Sequence, residues 1–407
     1  MAETMKKETV TVAEQVEARV NRFYLKKSRK YLAAGIVVML MLLLYIIGVT
    51  LFFGEYVTYD NLKFLVKDFD AMNVTGTTVE TKIVYNGSDS MTFRSFRGGL
   101  AVCDSDKYSY YDTSGVLLSE QSLEYSKPIM APSEKYMLVY DLGGTSFSIF
   151  NQLTQIISRS TEREIISACI SNDGEFAIAS KSNETRYVVD YYSGSFNKIM
   201  SIYKDNYVTC LAISPDGNTL CICEACPGES NFNCEIEIVR RGKSEPVQIL
   251  TFDNSMPFSA FSTADGFVVV TSSEVIFITP DGEIVSTVKF DGMSLKYADF
   301  NEESIAVSGS SNALGTENRV IVMNTGNAFG TIAFDEVIPT RIRGIYASKN
   351  LSSSVAYIKL PNGAARILGD GSLEKDETLT GEIMTLVTVK NGALICQKTS
   401  ANLAFDK

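Results

Sequence analysis

Three stretches of this chain share a pattern that few folds can absorb. They are SACISNDGEFAIAS (residues 167–180), CLAISPDGNTLCIC (210–223) and SAFSTADGFVVVTS (259–272). Each reads as an apolar strand rich in small residues, a tight turn, and a second alternating strand. Gly174, Gly217 and Gly266 sit at the turns, where glycine accepts the positive φ that a hairpin needs. Weaker copies begin at Met91, Lys127, Leu295, Ile342 and Glu382. The copies recur at roughly forty-residue spacing, and further short strands follow each one, as in RYVVDYYSGSFNKIMSIY (186–203). No helical period intervenes. Four strands per repeat without helices is the pattern of β-propeller blades. The expected fold is therefore all-β, an eight-bladed propeller, with seven blades the alternative if one copy is misread.

Closure of such a ring is also written in the chain. The last copy supplies only three strands, over residues 383–390, 393–398 and 401–405. A spare strand, VETKIVY (79–85), precedes the first copy. Pairing it with the last blade removes an open sheet edge.

Ahead of the repeats lies YLAAGIVVMLMLLLYIIGVTLFF (31–53), with no charged residue. At about 1.5 Å rise per residue this spans a hydrocarbon core of about 30 Å. It lacks the polar stripe of a core helix and is longer than a signal h-region. Arg19, Arg22, Lys26, Lys27, Arg29 and Lys30 precede it, and Glu55 and Asp60 follow. The positive-inside rule then places the N-terminus in the cytoplasm and the repeats outside. The expected domains are a basic cytoplasmic tail (1–30), a transmembrane helix (31–53), a juxtamembrane helix and linker (54–78) and an extracytoplasmic propeller (79–407). In the tail, Val12, Val16, Val20 and Phe23 have helical spacing. In the linker, Leu62, Leu65, Val66, Phe69 and Met72 fall on one helical face. With the whole chain at −11 and the tail at +4, the remainder carries −15. That charge argues against nucleic acid as a partner.

Composition closes off much chemistry. There is no histidine and no tryptophan. Without histidine, Ser-His-Asp and Cys-His mechanisms and imidazole metal ligands are unavailable. The SNDG, SPDG and TADG turns look like sialidase Asp boxes, but those need a following tryptophan. Quinoprotein docking motifs and the WD signature are missing for the same reason. Asp104 and Asp106 have no calcium-loop spacing around them. Arg240, Arg241 and Lys243 form a small basic loop. Tyr108, Tyr110, Tyr111, Tyr191 and Tyr192 fall on outer strand segments, as recognition anchors or as strand packing.

Cysteine is the remaining candidate. Four of the eight cysteines crowd into 221–234. Counting four residues past the turn glycine puts Cys221, Cys103 and Cys396 in a slot that Ile178 and Val270 fill elsewhere, so these behave as small hydrophobes. Cys169 and Cys210 also read as core, with Cys223 roughly opposite Cys210. Cys226 and Cys234 bracket the loop PGESNFN and are left as a disulfide, a pair of reduced thiols, or part of a metal site. Their spacing matches no common zinc pattern. No catalytic, cofactor-binding or metal-ligating residue is assigned.

With its basic tail, single span, YDNLKFLVKDFD helix and strand–DG–strand repeats, the chain resembles an uncharacterised family of bacterial single-pass membrane proteins with a degenerate propeller. That family occurs chiefly in anaerobic Gram-positive bacteria. The resemblance implies architecture and location, and no activity. The expected function is a binding or scaffolding module for an envelope protein, peptide or glycan, held at the cell membrane. The alternatives are a carboxylate-dependent glycosidase or lyase on the same scaffold, and a metal or redox site built from cysteines.

Overall fold

The computed structural model describes residues 24–45, 47 and 82–405, apart from 89, 113, 230, 313, 327, 377–380 and 391. The two expected amphipathic helices of the tail and the linker lie outside the described residues. The chain divides into two compact units, Met1–Val66 and Lys67–Lys407. In the first, one helix runs Tyr24–Tyr45; at 22 residues it is long and apolar enough to cross a membrane. It begins within the stretch read as the basic tail, because Tyr24 to Lys30 contain nothing that stops a helix. Residues 48–53 of the expected span lie outside the described residues.

The second unit is an eight-bladed β-propeller, each blade a four-stranded antiparallel sheet. Blades 1 to 7 cover residues 92–122, 128–160, 165–204, 207–252, 257–289, 294–338 and 344–375 in chain order. Blade 8 takes three strands from 385–404, and its fourth is Ile83–Val84 from ahead of blade 1. Ile83 pairs with Ala401 and Val84 with Ser400. The eight copies and the borrowed closing strand read from the sequence are thus both present.

Burial along each blade explains its residue pattern. The second strand is packed on both faces and reads as a continuous apolar run: Gly99–Cys103, Met137–Asp141, Gly266–Thr271 and Gly392–Cys396 are buried throughout. Outermost strands are much more exposed, as in Ile284–Lys289, where only Val288 is buried. The core is not one mass but a series of apolar clusters between neighbouring blades. Ala177, Ala179 and Val189 of blade 3 meet Leu211, Leu220 and Ile222 of blade 4. Cys221, Cys223 and Ile236 of blade 4 meet Phe267, Val269 and Ile276 of blade 5.

The three aligned repeats differ at their turns. Gly174 and Gly217 occupy loops, with φ of 87° and 66°. Gly266 does not. Its register partner is Thr263, so Ala264 and Asp265 form the turn and Gly266 opens the second strand. Glycine is required there because φ is 151° and a Cβ would lie 2.0 Å from the Ile278 carbonyl oxygen.

Two variants test this construction by urea unfolding of the full chain in micelles. Ile83→Ala, which empties a fully buried position on the closing strand, is expected to cost about 2–5 kcal/mol. Gly266→Ala is expected to lower stability by more than about 1 kcal/mol, where an unstrained glycine would gain from the same change.

Candidate functional site

The cysteine-rich stretch is the longest hairpin of the ring. Its strands, Thr219–Pro227 and Phe232–Arg240, have nine residues each. Counted from the first residue of the second strand (Gly99, Thr219, Gly266, Gly392), the fourth residue on is Cys103, Cys223, Val270 and Cys396. The slot shared with Cys103 and Cys396 therefore belongs to Cys223. Cys221 stands two residues earlier on the same face, where blade 3 has Ala177. Counting from the glycine slipped because the loops differ in length: the Ser171 amide bonds to the Glu175 carbonyl, but the Ser214 amide bonds to Thr219.

Cys210 pairs directly with Cys223, and the Sγ atoms of Cys221 and Cys223 are 3.8 Å apart. All three, with Cys234, line the packed gap to blade 5. Burial pushes the thiols of Cys169, Cys234 and Cys396 up, and hydrogen bonding to Cys210 and Cys221 does the same for Cys223. A raised thiol is a poor nucleophile and a poor metal ligand. The register also separates the proposed disulfide partners. Cys226 pairs with Asn233, and Cys234 with Ala225, which turns the two side chains to opposite faces of the sheet. Cys234 is buried, Cys226 half-exposed, and both are free thiols.

On the other face of the same hairpin lies a group that sequence reasoning missed. Lys204, from the outermost strand of blade 3, forms ion pairs with Glu224, at 2.8 Å, and with Glu237. All three are buried, Glu224 to 1% exposure. Glu235 lies beside them, with carboxylate oxygens of the three acids within 4.8 Å of one another. Burial acts to lower Lys204, but its bonds to Glu224 and Glu237 outweigh this, and the ammonium is held above its ordinary range. Burial raises Glu224, and Lys204 only partly reverses the shift. Lys204 thus supplies the cation that ties blades 3 and 4. No local signal could have found it, because the lysine and its partners meet only once two blades stand side by side. Above it, the Arg186 guanidinium lies 4.0 Å from the Tyr207 ring centre, and Tyr207 meets Phe232 edge-on at 6.2 Å.

A second feature sits at the central channel. The entering ends of the innermost strands of blades 8, 1 and 2 enclose a cavity of about 430 Å³, with Lys359 of blade 7 alongside. Met91, Ile129, Met130, Ile383 and Met384 give it an apolar wall, and Arg94 and Glu382 give it charge. Lys359 is occupied, its Nζ donating to the Met384 carbonyl at 2.9 Å. Arg94 has no hydrogen bond or ion pair among the described residues. Deeper in the channel, Lys349 donates to Ser95 Oγ at 3.4 Å, and Asp299 accepts the Ala347 amide at 3.0 Å. Burial raises the Asp299 carboxyl, and Arg94 and Lys349 act against that.

The other residues singled out by sequence are structural. Tyr108 stacks on Phe150, Tyr110 donates to the Phe96 carbonyl, and Tyr192 stacks on Phe176. Tyr111 tilts against Tyr85 of the closing strand, and Tyr191 donates to the Gly217 carbonyl of the next blade. These tyrosines stand on third strands, and their rings and hydroxyls are engaged in packing within and between blades. Asp104 accepts the amides of Asp106 and Lys107, an Asx turn. Arg240 and Arg241 bridge blade 4 to its neighbours, through Asp281 at 2.5 Å and Glu175 at 3.2 Å.

A closed ring of eight four-stranded blades, preceded by an apolar N-terminal helix, defines the class: an eight-bladed β-propeller protein. Residues 70–350 match the model of a family of unknown function, DUF5711, and the chain belongs to that family. BamB from Moraxella catarrhalis is similar in fold, with a TM-score of 0.50 at 10% identity, over 80% of this chain and 100% of that one. Hydrazine synthase of Kuenenia stuttgartiensis aligns with a TM-score of 0.45 at 13% identity, over 76% and 99% of the two chains. The β-propeller domain of Myceliophteria thermophila Cps50 (Swd1) gives 0.47 at 12%, over 73% and 97%. At these identities the likeness concerns the fold alone. No functionally curated protein matches the sequence.

Removing Lys204 tests the blade 3–4 tie. Lys204→Met leaves two buried carboxylates without their cation and is expected to cost about 3–5 kcal/mol at neutral pH. Because the Glu224 carboxyl lies above its ordinary range in the fold, its ionised form is the strained one. The strain grows as pH rises through that raised value and is relieved below it. The stability gap between variant and parent should therefore narrow as pH falls from about 7 to about 5, measured by urea unfolding.

Proposed function

We propose that this chain is a membrane-anchored binding or scaffolding module whose propeller lies on the extracytoplasmic side and engages an envelope protein, peptide or glycan. The observation that carries the reading is the channel mouth: an open cavity with an apolar wall, beside a guanidinium that has no ion pair among the described residues. The apolar helix Tyr24–Tyr45 supports anchoring. The cationic residues ahead of its apolar run support a cytoplasmic tail (1–30), a span within 31–53, and a linker (54–78) leading to the propeller (79–407). The net charge of −15 beyond the tail is consistent with a partner other than nucleic acid.

The two rival readings gain no specific support. A glycosidase needs two carboxylates flanking a substrate-sized space. The close acids Glu224 and Glu237 are instead buried against Lys204 between blades. A cysteine metal or redox centre needs accessible thiolate. Cys169, Cys223, Cys234 and Cys396 are packed among apolar side chains with their thiols raised, and even half-exposed Cys226 is pushed up to about 11, by burial first and then by Glu235.

Two measurements on intact cells test the proposal. Protease added from outside is expected to remove a C-terminal epitope before the cells are broken. A photo-crosslinking residue at Met384 is expected to capture one defined envelope component. Survival of the epitope until lysis would refute the topology.

A further inference from the structure

The channel-mouth cavity carries more information than that it is open. At about 430 Å³ it lies in the lower part of the range for small-ligand pockets, about 300–1,000 Å³. Three of its lining residues are methionines, Met91, Met130 and Met384. Thioether side chains are flexible and polarisable, and such walls repack around differently shaped apolar groups. Arg94 sits beside them on the innermost strand of blade 1 and is exposed. Its guanidinium finds no carboxylate within ion-pair distance among the described residues, although the domain is strongly acidic overall. Asp299 is close enough to feel its charge and too far to pair with it. A planar guanidinium left open next to an apolar wall is matched by a carboxylate attached to an apolar group.

Glu382 narrows the choice. It lines the same cavity and has no partner among the described residues. A carboxylate there repels ligands with several negative charges and accepts N–H donors. A single acidic group flanked by amide N–H groups and an apolar side chain fits this set; a phosphate or a bare fatty acid fits it less well. Resting on the reading of the chain as a binding module, we propose that the cavity formed by blades 8, 1 and 2 binds a peptide segment of a partner protein. An apolar side chain enters between the methionines, and the adjacent acidic side chain pairs with Arg94.

The test uses the full chain in detergent micelles and an array of N-acetylated hexapeptide amides. Each carries Leu, Met or Phe next to Glu, and each has a counterpart with Gln in place of Glu. At least one Glu peptide is expected to bind saturably and about ten-fold tighter than its Gln counterpart. Arg94→Gln should remove that preference, and Arg94→Lys should restore part of it, with unchanged urea midpoints to confirm folding. Equal binding of Glu and Gln peptides overturns the proposal, as does a preference that survives Arg94→Gln, or no saturable binding by any peptide. Decanoate binding in place of the peptides also counts against it. Failure here leaves capture of an envelope component elsewhere on the ring untouched, so the two readings can be told apart.

Discussion

Everything in the propeller depends on two residues far from the rest of their blade. Ile83 and Val84 pair with the last strand of blade 8, joining the two ends of the repeat array. The Tyr85 amide continues the ladder to the Thr399 carbonyl at 3.1 Å, and the Tyr85 hydroxyl donates to the Gln397 carbonyl at 2.7 Å. Without this join, blade 8 would end in an unpaired edge, and the apolar surfaces of blades 8 and 1 would lack a fixed relation. The cluster between them, with Ile83, Phe93, Leu100, Leu394 and Cys396, draws on both ends of the chain. A ring whose core is divided among blade interfaces gains its full stability only when all of them are closed.

Polar groups follow the same logic. Arg240 and Arg241 reach in opposite directions to the blades on either side. Tyr191 caps the neighbouring turn at Gly217. Lys204 neutralises two acids that belong to the next sheet. Each of these is a contact between blades, whereas Arg94 at the channel mouth has no ion pair among the described residues. Groups packed between blades are unavailable for chemistry, which is why the acidic cluster and the buried thiols read as structure.

Much of this was legible in the chain because blade hairpins are local. The eight turn signals, the three-strand last copy and the spare strand before the first gave the ring and its closure directly. What depended on loop length or on contacts between blades was not legible. A single extra residue between Ser214 and Thr219, and a two-residue turn before Gly266, moved the glycines out of alignment and shifted the thiol slot from Cys221 to Cys223. A bracketed loop suggested Cys226 facing Cys234, but a one-residue offset in register sends their side chains apart. Lys204, Glu224 and Glu237 carry no local pattern at all, and the cavity exists only where three blades converge.

The closing strand offers the most direct measurement of the central claim. Val84 and Ser400 stand opposite each other next to the hydrogen-bonded pair Tyr85 and Thr399, so they occupy the close, non-hydrogen-bonded position that a cross-strand disulfide prefers. In the double variant Val84→Cys, Ser400→Cys, oxidation should link the two positions, seen by mass spectrometry of the digested chain, and raise the unfolding temperature relative to the reduced form and to each single variant. A folded double variant whose new thiols stay unlinked under oxidant, or whose link leaves the unfolding temperature unchanged, would contradict closure of the ring by its own N-terminal strand.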